Sequence, residues 1–180
     1  MSITIEQKKK KILVLGLEKS GKSSIVSSFI GKFNLSDFIS SNITKSPNII
    51  KLEKGNILFS IWDFNGKEIN RNAFLKNFND LIIDTEEVFY VIDIQDFKKY
   101  DLTLKFLQEI IENLKKIDHK VEFTFFLHKY DHDLFEQIPE INIEKIENLI
   151  ETIRKIIPPE DFHEIYKTTI YTVLDKIHIY

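Results

Sequence analysis

The feature that most constrains this chain is a glycine-rich run that follows a short apolar segment. Residues 16 to 24 read GLEKSGKSS, and residues 12 to 15 before them read ILVL. A polyphosphate needs backbone N–H groups wrapped around it, which requires glycine where a Cβ would block the approach or where φ is positive. The run therefore predicts a phosphate-binding loop between a strand and a helix, with the helix N-terminus facing the phosphates.

Side chains of the same loop supply the remaining contacts. Lys22 can reach the outer phosphates, and the Ser23 hydroxyl can ligate Mg²⁺. The motif therefore implies a Mg-nucleotide. The nucleotide-binding residues that we predict in this segment are Glu18, Lys19, Ser20, Gly21, Lys22, Ser23 and Ser24.

Length and composition indicate one domain over residues 1 to 180, with a basic N-terminal extension at residues 1 to 9. The net charge of −3 argues against a nucleic-acid binder. The chain has no cysteine, which excludes disulfides and thiolate metal sites and fits a cytoplasmic protein. No apolar run approaches the ~20 residues of a membrane span. Four lysines at 8 to 11, just before the first predicted strand, can contact a membrane surface peripherally, but we favour a solvated gatekeeper at a sheet edge.

Short apolar runs alternate with helical patterns along the chain. Four runs rich in β-branched or aromatic residues predict buried strands, at 12–15, 57–61, 88–92 and 123–127. Residues 48–54 predict an antiparallel edge strand, 165–170 a last strand, and 24–30, 102–116, 143–157 and 171–180 helices. The predicted fold is doubly wound α/β, a mostly parallel six-stranded sheet with one antiparallel edge strand and helices on both faces.

An Asp-x-x-Gly element follows the second buried strand. Asp63 stands at the carboxyl end of that strand, where a carboxylate can hold a Mg²⁺-bound water, and Gly66 offers an unobstructed backbone N–H to a γ-phosphate. Together the two residues would sense the third phosphate of a nucleoside triphosphate.

A second polar element, HKYD at residues 128 to 131, ends a later strand and has the layout of a guanine-reading loop. The Asp131 carboxylate can accept hydrogen bonds from guanine N1–H and the exocyclic amine, while the Lys129 stem packs over the ring. Adenine cannot donate to that acceptor in the same way, and sites of this kind can favour the matching ligand over its analogue by a factor of ~10⁴–10⁵. For His128, a nucleotide role is favoured over that of a core or capping histidine.

Two further segments contribute weaker signals. Thr168, Thr169 and Ile170 follow the last strand, where a hydroxyl can support Asp131 and a backbone N–H can meet guanine O6. Thr44, in the polar loop at 42–47, can give Mg²⁺ a second hydroxyl. Ser40, Ser41 and Ser46 compete for that role, and a solvated loop threonine is the other interpretation.

These five elements, in this order, resemble the Ras-like small GTPase superfamily, and most closely its Rag/Gtr, Arf-related branch. The finer match rests on residues 16–24, on 61–64, on VIDIQD at 91–96, on HKxD at 128–131 and on TTIY at 168–171. The resemblance implies a P-loop NTPase G domain that binds GTP or GDP with Mg²⁺ and switches its loops around 34–47 and 64–84 with the γ-phosphate. It also implies protein partners: effectors, an exchange factor, an activating protein, a second GTPase and roadblock-fold proteins.

The chain departs from the family pattern at two points. It ends at Tyr180, so we expect no roadblock-like domain after the GTPase domain. Lys67 follows Gly66, where the family usually has the glutamine that positions the attacking water. Lysine has donors only and cannot accept a hydrogen bond from that water.

Lys67 affects the predicted hydrolysis of GTP. The catalytic residues implied by the resemblance are Gly66, Lys67 and Thr44, with Mg²⁺ held by Ser23, Thr44 and Asp63. Because Lys67 cannot position water and Glu18 adds bulk and negative charge near the γ-phosphate, intrinsic hydrolysis should be slow. Glu68 could take over the water, although a solvated carboxylate is the favoured interpretation.

Three hypotheses follow from these residues. The first is a slow GTPase switch regulated by partners, and the second is a GTP-binding scaffold that does not hydrolyse. A P-loop kinase ranks last, because it needs an arginine-rich lid and the chain has two arginines, Arg71 and Arg154.

Overall fold

Strands and helices alternate along the chain in the computed structural model, which describes residues 8–31 and 47–169. The strands are β1 (Lys8–Leu15), β2 (Asn48–Lys54), β3 (Ile57–Asp63), β4 (Thr85–Asp93), β5 (Glu122–His128) and β6 (Phe162–Thr168). The helices are α1 (Lys22–Phe29), α2 (Glu68–Lys76), α3 (Phe78–Ile82), α4 (Tyr100–Ile117), α5 (Leu134–Gln137) and α6 (Ile143–Ile156).

The strands form one sheet in the order β2-β3-β1-β4-β5-β6. Every neighbouring pair is parallel except β2 and β3, which form an antiparallel hairpin turned at Gly55, where φ is +63°. The predicted six-stranded, mostly parallel sheet with an antiparallel edge strand is confirmed. The carboxyl ends of the five parallel strands meet at one edge of the sheet, which is where ligands bind in open α/β folds.

Each face of the sheet is covered by helices, because successive side chains of a buried strand point to opposite sides. On one face Ile12 and Val14 of β1 pack with Ile25 and Val26 of α1. On the other face the neighbouring leucines of β1 belong to the larger core, which includes buried side chains of α2, α4 and α6. The predicted helices on both faces are therefore observed.

The lysine cluster at 8–11 lies inside β1, and the prediction that it precedes the first strand is wrong. β1 is an internal strand, so the cluster is not at a side edge of the sheet either. Lys10 pairs with Glu87 at 2.7 Å, and the Lys11 ammonium donates to the carbonyls of Leu81 and Ile83 at 2.8 Å. Partners from the start of β4 and the residues before it thus allow these lysines to join the sheet.

Other boundaries differ from the sequence expectations by a few residues. The last strand runs over 162–168 instead of 165–170, and helices α2, α3 and α5 were not predicted. Thr44, its rival serines, Ile170 and the expected terminal helix at 171–180 lie outside the described residues. No helix within 8–31 and 47–169 combines the length and apolar composition needed to cross a bilayer.

Candidate nucleotide-binding site

The glycine-rich loop begins after Leu15, the last residue of β1, and passes close to β4. Gly16 has φ +143°, and a Cβ on it would lie 2.2 Å from the Val91 carbonyl oxygen. Gly21 has φ +91° and directly precedes α1. Both positions therefore require glycine, one for close packing on the neighbouring strand and one for its left-handed backbone.

The Lys22 side chain folds into the loop that precedes its helix. Its ammonium donates to the Leu17 carbonyl at 2.6 Å, and the residue is 6% exposed. Burial lowers the pKa of Lys22 to about 8, although the charges of Asp63 and Glu18 act in the opposite direction. A buried cation at the start of a helix, held by one carbonyl, is suited to a polyanion.

Ser23 and Asp63 meet where α1 begins and β3 ends. The Ser23 hydroxyl donates to Asp63 Oδ2 at 2.7 Å, and Asp63 is 2% exposed. Burial raises the pKa of this carboxyl group, while the Ser23 hydrogen bond and the Lys22 charge oppose the rise. Asp63 Oδ1 is buried without a hydrogen-bond partner. A hydroxyl beside a carboxylate with an unsatisfied oxygen fits Mg²⁺, which takes few protein ligands when phosphates complete its shell.

The Asp-x-x-Gly segment lies against the phosphate loop. A Cβ on Gly66 would lie 2.2 to 2.4 Å from backbone atoms of Leu17 and Glu18, so this position also requires glycine. The Arg71 guanidinium donates to the Gly66 carbonyl at 2.6 Å and lies 5.7 Å from the Phe106 ring centre. The sequence alone assigned Arg71 no such contact.

Lys67 directly precedes α2, and its backbone groups form hydrogen bonds at the start of that helix. Its N–H donates to Asn65 Oδ1 at 2.9 Å, and its carbonyl accepts the N–H groups of Asn70 and Arg71. Glu68 is exposed in the first turn of α2. The segment that follows Gly66 is thus ordered as a helix N-terminus.

His128 joins the end of β5 to the phosphate loop. It is 2% exposed, and its Nδ1 is 3.0 Å from the Thr168 hydroxyl. A Cβ on Gly21 would lie 2.6 Å from His128 Nε2, and this nitrogen is buried without a partner. Burial, and then the Lys129 charge, lower the pKa of His128 to about 4, so the imidazole is neutral at pH 7.

Lys129 and Asp131 are held by side chains at the carboxyl ends of β4 and β6 or just after them. Lys129 pairs with Asp93 Oδ2. Asp131 Oδ1 accepts from the Thr169 hydroxyl, and its Oδ2 accepts from the Gln95 amide at 2.7 Å. The hydroxyl support for Asp131 that the sequence suggested is present, and Thr169 supplies it.

Asp93 and Gln95 also belong to this loop cluster, although neither was predicted as a site residue. Both follow the buried run of β4, within a segment that supported the family resemblance but received no role. A usable signal was their place at the carboxyl end of a parallel strand next to β5, because such ends meet at one edge of the sheet.

Buried polar atoms without partners gather at this edge. Within the described part of the chain four such side-chain atoms occur, and three of them belong to Ser20, Asp63 and His128. Buried polar groups normally have partners, so each exception calls for an explanation. A ligand that offers both donors and acceptors to the phosphate loop would explain all three.

The structure brings most of the predicted site residues to this edge. Glu18, Lys19 and Ser23 are exposed, Ser24 is partly buried in the first turn of α1, and Ser20 and Lys22 are buried. Ser23, Asp63 and Gly66 lie beside the loop, and the guanine-reading candidates His128, Lys129, Asp131, Thr168 and Thr169 form the other half. Thr44 and Ile170 are outside the described residues.

A wider groove, with a volume of about 1130 Å³, lies at the opposite edge, where the strands begin. Lysines 8 to 11 line it together with acidic residues, among them Glu86, which pairs with Lys8 at 3.9 Å. The glycine-rich loop and the cluster of unpartnered atoms are at the other edge. We therefore assign the candidate site to the carboxyl ends of the strands.

Comparison with known proteins gives the family of the chain. A family model described as the Gtr1/RagA G protein conserved region matches residues 11–177. The chain belongs to the Gtr1/RagA G protein family. The resemblance to the Rag/Gtr and Arf-related branch of the Ras-like GTPases is thereby confirmed.

Similar curated proteins come from both the Arf-like and the Rag groups. ADP-ribosylation factor-like protein 5 of Caenorhabditis elegans is 28% identical over 106 residues, which cover 59% of this chain and 55% of that protein. Ras-related GTP-binding protein C of Homo sapiens is 31% identical over 136 residues, which cover 70% of this chain and 31% of that protein. The chain thus spans less than two thirds of the length of these relatives.

The fold itself matches a solved small GTPase. The structure of the Arl6 BBS3 small GTPase from Trypanosoma brucei, with the bound nucleotide analogue GppNp, aligns with a TM-score of 0.66 at 20% identity. The alignment covers 93% of this chain and 90% of that one. The fold of this Gtr1/RagA family member is therefore that of a small-GTPase P-loop domain.

Proposed function

We propose that this Gtr1/RagA family member is a guanine-nucleotide switch that binds GTP or GDP with Mg²⁺ and hydrolyses GTP slowly. The observation that carries the proposal is the meeting, at one sheet edge, of a glycine-rich loop, three unpartnered buried polar atoms and an aspartate held for base recognition.

The phosphates would be bound by the loop at 16–21 and by Lys22. In the structure the Lys22 ammonium donates to the Leu17 carbonyl, and a phosphate oxygen would be a stronger, charged acceptor for it. Ser23 and Asp63, with Thr44 as the further predicted ligand, would hold Mg²⁺, directly or through water. When bound, that ion would neutralise charge on the phosphate oxygens.

Base selection would rest on Asp131 and its surroundings. Guanine offers two neighbouring donors to a carboxylate, whereas adenine offers none in the same arrangement. Against the wrong base, the acceptor positions that remain on this partly buried carboxylate would face no donor, which is costly. Ile170 remains a predicted contact to guanine O6 through its backbone N–H.

Slow hydrolysis would follow from the residues after Gly66. Lys67 supplies only donors, so it cannot accept a hydrogen bond from an attacking water. The Arg71 guanidinium is engaged with the Gly66 carbonyl and packs near Phe106. Stimulation by a partner's arginine, worth ~10³–10⁵ in related chemistry, would then set the useful rate.

Switching would act through residues 64–84. Gly66 lies against Leu17 and Glu18, so a ligand that engages the Gly66 N–H would reposition the start of α2. We propose that protein effectors, an exchange factor and an activating protein bind this segment in the cytoplasm, in some cases at a membrane surface. A second GTPase and roadblock-fold proteins are the partner classes that the family suggests.

Single-turnover hydrolysis tests the proposal, with GTP and ATP on wild type, Lys67→Gln and the exposed-lysine control Lys76→Gln. We expect slow GTP turnover that rises about tenfold or more in Lys67→Gln, because glutamine can accept a hydrogen bond from water. The control should match wild type, and ATP should not be hydrolysed. ATP turnover equal to that of GTP would contradict the proposal.

The second candidate function is a GTP-binding scaffold, and Lys67 is the observation that favours it. The scaffold predicts tight guanine-nucleotide binding with no turnover in wild type or in Lys67→Gln, also when candidate activating proteins are added. The same experiment therefore decides between the two functions.

A further inference from the structure

Gln95, in the turn after β4, reaches the guanine-reading loop with both hydrogens of its side-chain amide. Its Nε2 lies 2.7 Å from Asp131 Oδ2 and 3.0 Å from the Lys129 carbonyl oxygen. Both partners are acceptors, so the amide nitrogen, and not the amide oxygen, must face them. The orientation of the Gln95 side chain is therefore fixed by its partners.

The turn that carries Gln95 is itself tied to the same loop. The Gln95 backbone N–H donates to Asp93 Oδ1 at 3.0 Å, and Asp93 Oδ2 pairs with the Lys129 ammonium. Lys129 has a left-handed backbone, with φ +62°, and its carbonyl accepts from Gln95. These contacts form a closed ring between the ends of β4 and β5.

The Asp131 carboxylate retains acceptor capacity for a base. Each ionised oxygen accepts about two hydrogen bonds, so the carboxylate offers about four acceptor positions. Gln95 takes one on Oδ2, and the Thr169 hydroxyl takes one on Oδ1. One contact on each oxygen defines the plane of the carboxylate and leaves further acceptor positions on both.

We propose that Gln95 is a specificity-determining positioning residue for the purine base. By holding Asp131 Oδ2, its amide fixes the carboxylate in the orientation in which both oxygens can accept at once. A base with two neighbouring donors, guanine, benefits from that orientation. A base with one donor, hypoxanthine, needs one oxygen only, and a rotating carboxylate can still supply it.

The inference rests on the proposed guanine-nucleotide function and adds to it how the base is selected. A positioning role and a merely structural role of Gln95 predict different losses of nucleotide affinity. Loss of loop structure would weaken all purine nucleotides alike. Loss of carboxylate orientation weakens the two-donor base more than the one-donor base.

The test compares GDP with inosine diphosphate, which lacks the 2-amino group, by calorimetric titration of nucleotide-free protein. The variants are Gln95→Met, which keeps the length but has no donor, and Gln95→Glu, which places a second carboxylate beside Asp131. The matched control is Gln108→Met, because Gln108 also donates to a carboxylate, Glu112 at 3.0 Å, but is exposed on α4.

We expect Gln95→Met to lower the preference for GDP over inosine diphosphate by about tenfold, the size of one charge-assisted hydrogen bond. Gln95→Glu should lower it at least as far, and Gln108→Met should leave it unchanged. Equal losses for both nucleotides, or no loss, would overturn the inference while leaving the function in place. A wild-type protein that binds neither nucleotide would overturn the proposed function and this inference with it.

Discussion

The two halves of the candidate site differ in how their polar groups are satisfied. In the base half, Lys129 is paired with the Asp93 carboxylate, and Asp131 accepts from the Gln95 amide and the Thr169 hydroxyl. In the phosphate half, Ser20 Oγ and Asp63 Oδ1 are buried without partners. His128 stands between the halves, bonded on Nδ1 to Thr168 and unpartnered on Nε2 beside Gly21.

The difference indicates that the base half is preorganised by protein contacts, whereas polar atoms of the phosphate half await a ligand. A base is recognised by the direction of a few hydrogen bonds, so fixing the carboxylate before binding favours one base over another. A polyphosphate with its cation brings charge and many acceptors, so the groups that meet it can lack protein partners. We infer that the base half sets specificity and the phosphate half supplies most of the affinity.

The largest expected effect that tests this comparison is in the phosphate half. Lys22→Met should weaken GDP binding by about a hundredfold or more, because a buried cation facing the phosphates is lost. The nucleotide-free protein should melt at the same or a higher temperature, because burial already penalises the charged ammonium, as its lowered pKa indicates. Calorimetric titration and thermal unfolding measure the two quantities.

The control for Lys22→Met is Lys105→Met, which removes an exposed lysine of α4. It should change neither quantity. A Lys22→Met protein that binds GDP normally but unfolds at a clearly lower temperature would reverse the comparison, since Lys22 would then be structural.

A smaller effect is expected where the halves meet, in the pH dependence of stability. The folded pKa of His128 is about 4, below its ordinary value of 6.5, so the unfolded chain binds more protons between these pH values. The free energy of unfolding should therefore fall as the pH falls from 6.5 to 4, by up to about 3 kcal/mol from this residue. Above pH 6.5 the residue should cause no further change.

Urea unfolding at several pH values, on wild type and His128→Asn, measures this term as the difference between the two acid slopes. His132→Asn removes an exposed imidazole from the same loop and serves as the control. Parallel slopes for wild type and His128→Asn would show that His128 is not buried as a neutral imidazole, and would contradict its placement between the two halves.

Much of this architecture was predictable because local sequence signals agree with the global fold. Short apolar runs predict buried parallel strands. Glycines in the phosphate loop indicate close packing or a left-handed backbone. Gly16 and Gly21 are examples, because the strand packing and the left-handed backbone that glycine permits are both present.

The wrong or missing predictions concern residues whose structure depends on tertiary partners. Lys10 and Lys11 were predicted to be part of a solvated cluster before the first strand. They lie inside β1, where the Glu87 carboxylate pairs with Lys10 and two backbone carbonyls accept from Lys11. Helices α2 and α3 bury few side chains, Phe74 in one and Phe78 and Ile82 in the other, so their apolar periodicity is weak. Gln95 gains its role from Asp131, 36 residues away in sequence, which no local pattern reports.

The most direct test of the account is the stabilisation of nucleotide-free protein by Mg²⁺ with GDP, compared with Mg²⁺ with ADP at the same concentration. At a hundred times the dissociation constant, GDP should raise the free energy of unfolding by about 2.7 kcal/mol, and ADP should have no measurable effect. Equal stabilisation by both nucleotides, or by neither, would contradict a site whose base half selects guanine and whose phosphate half binds the charge.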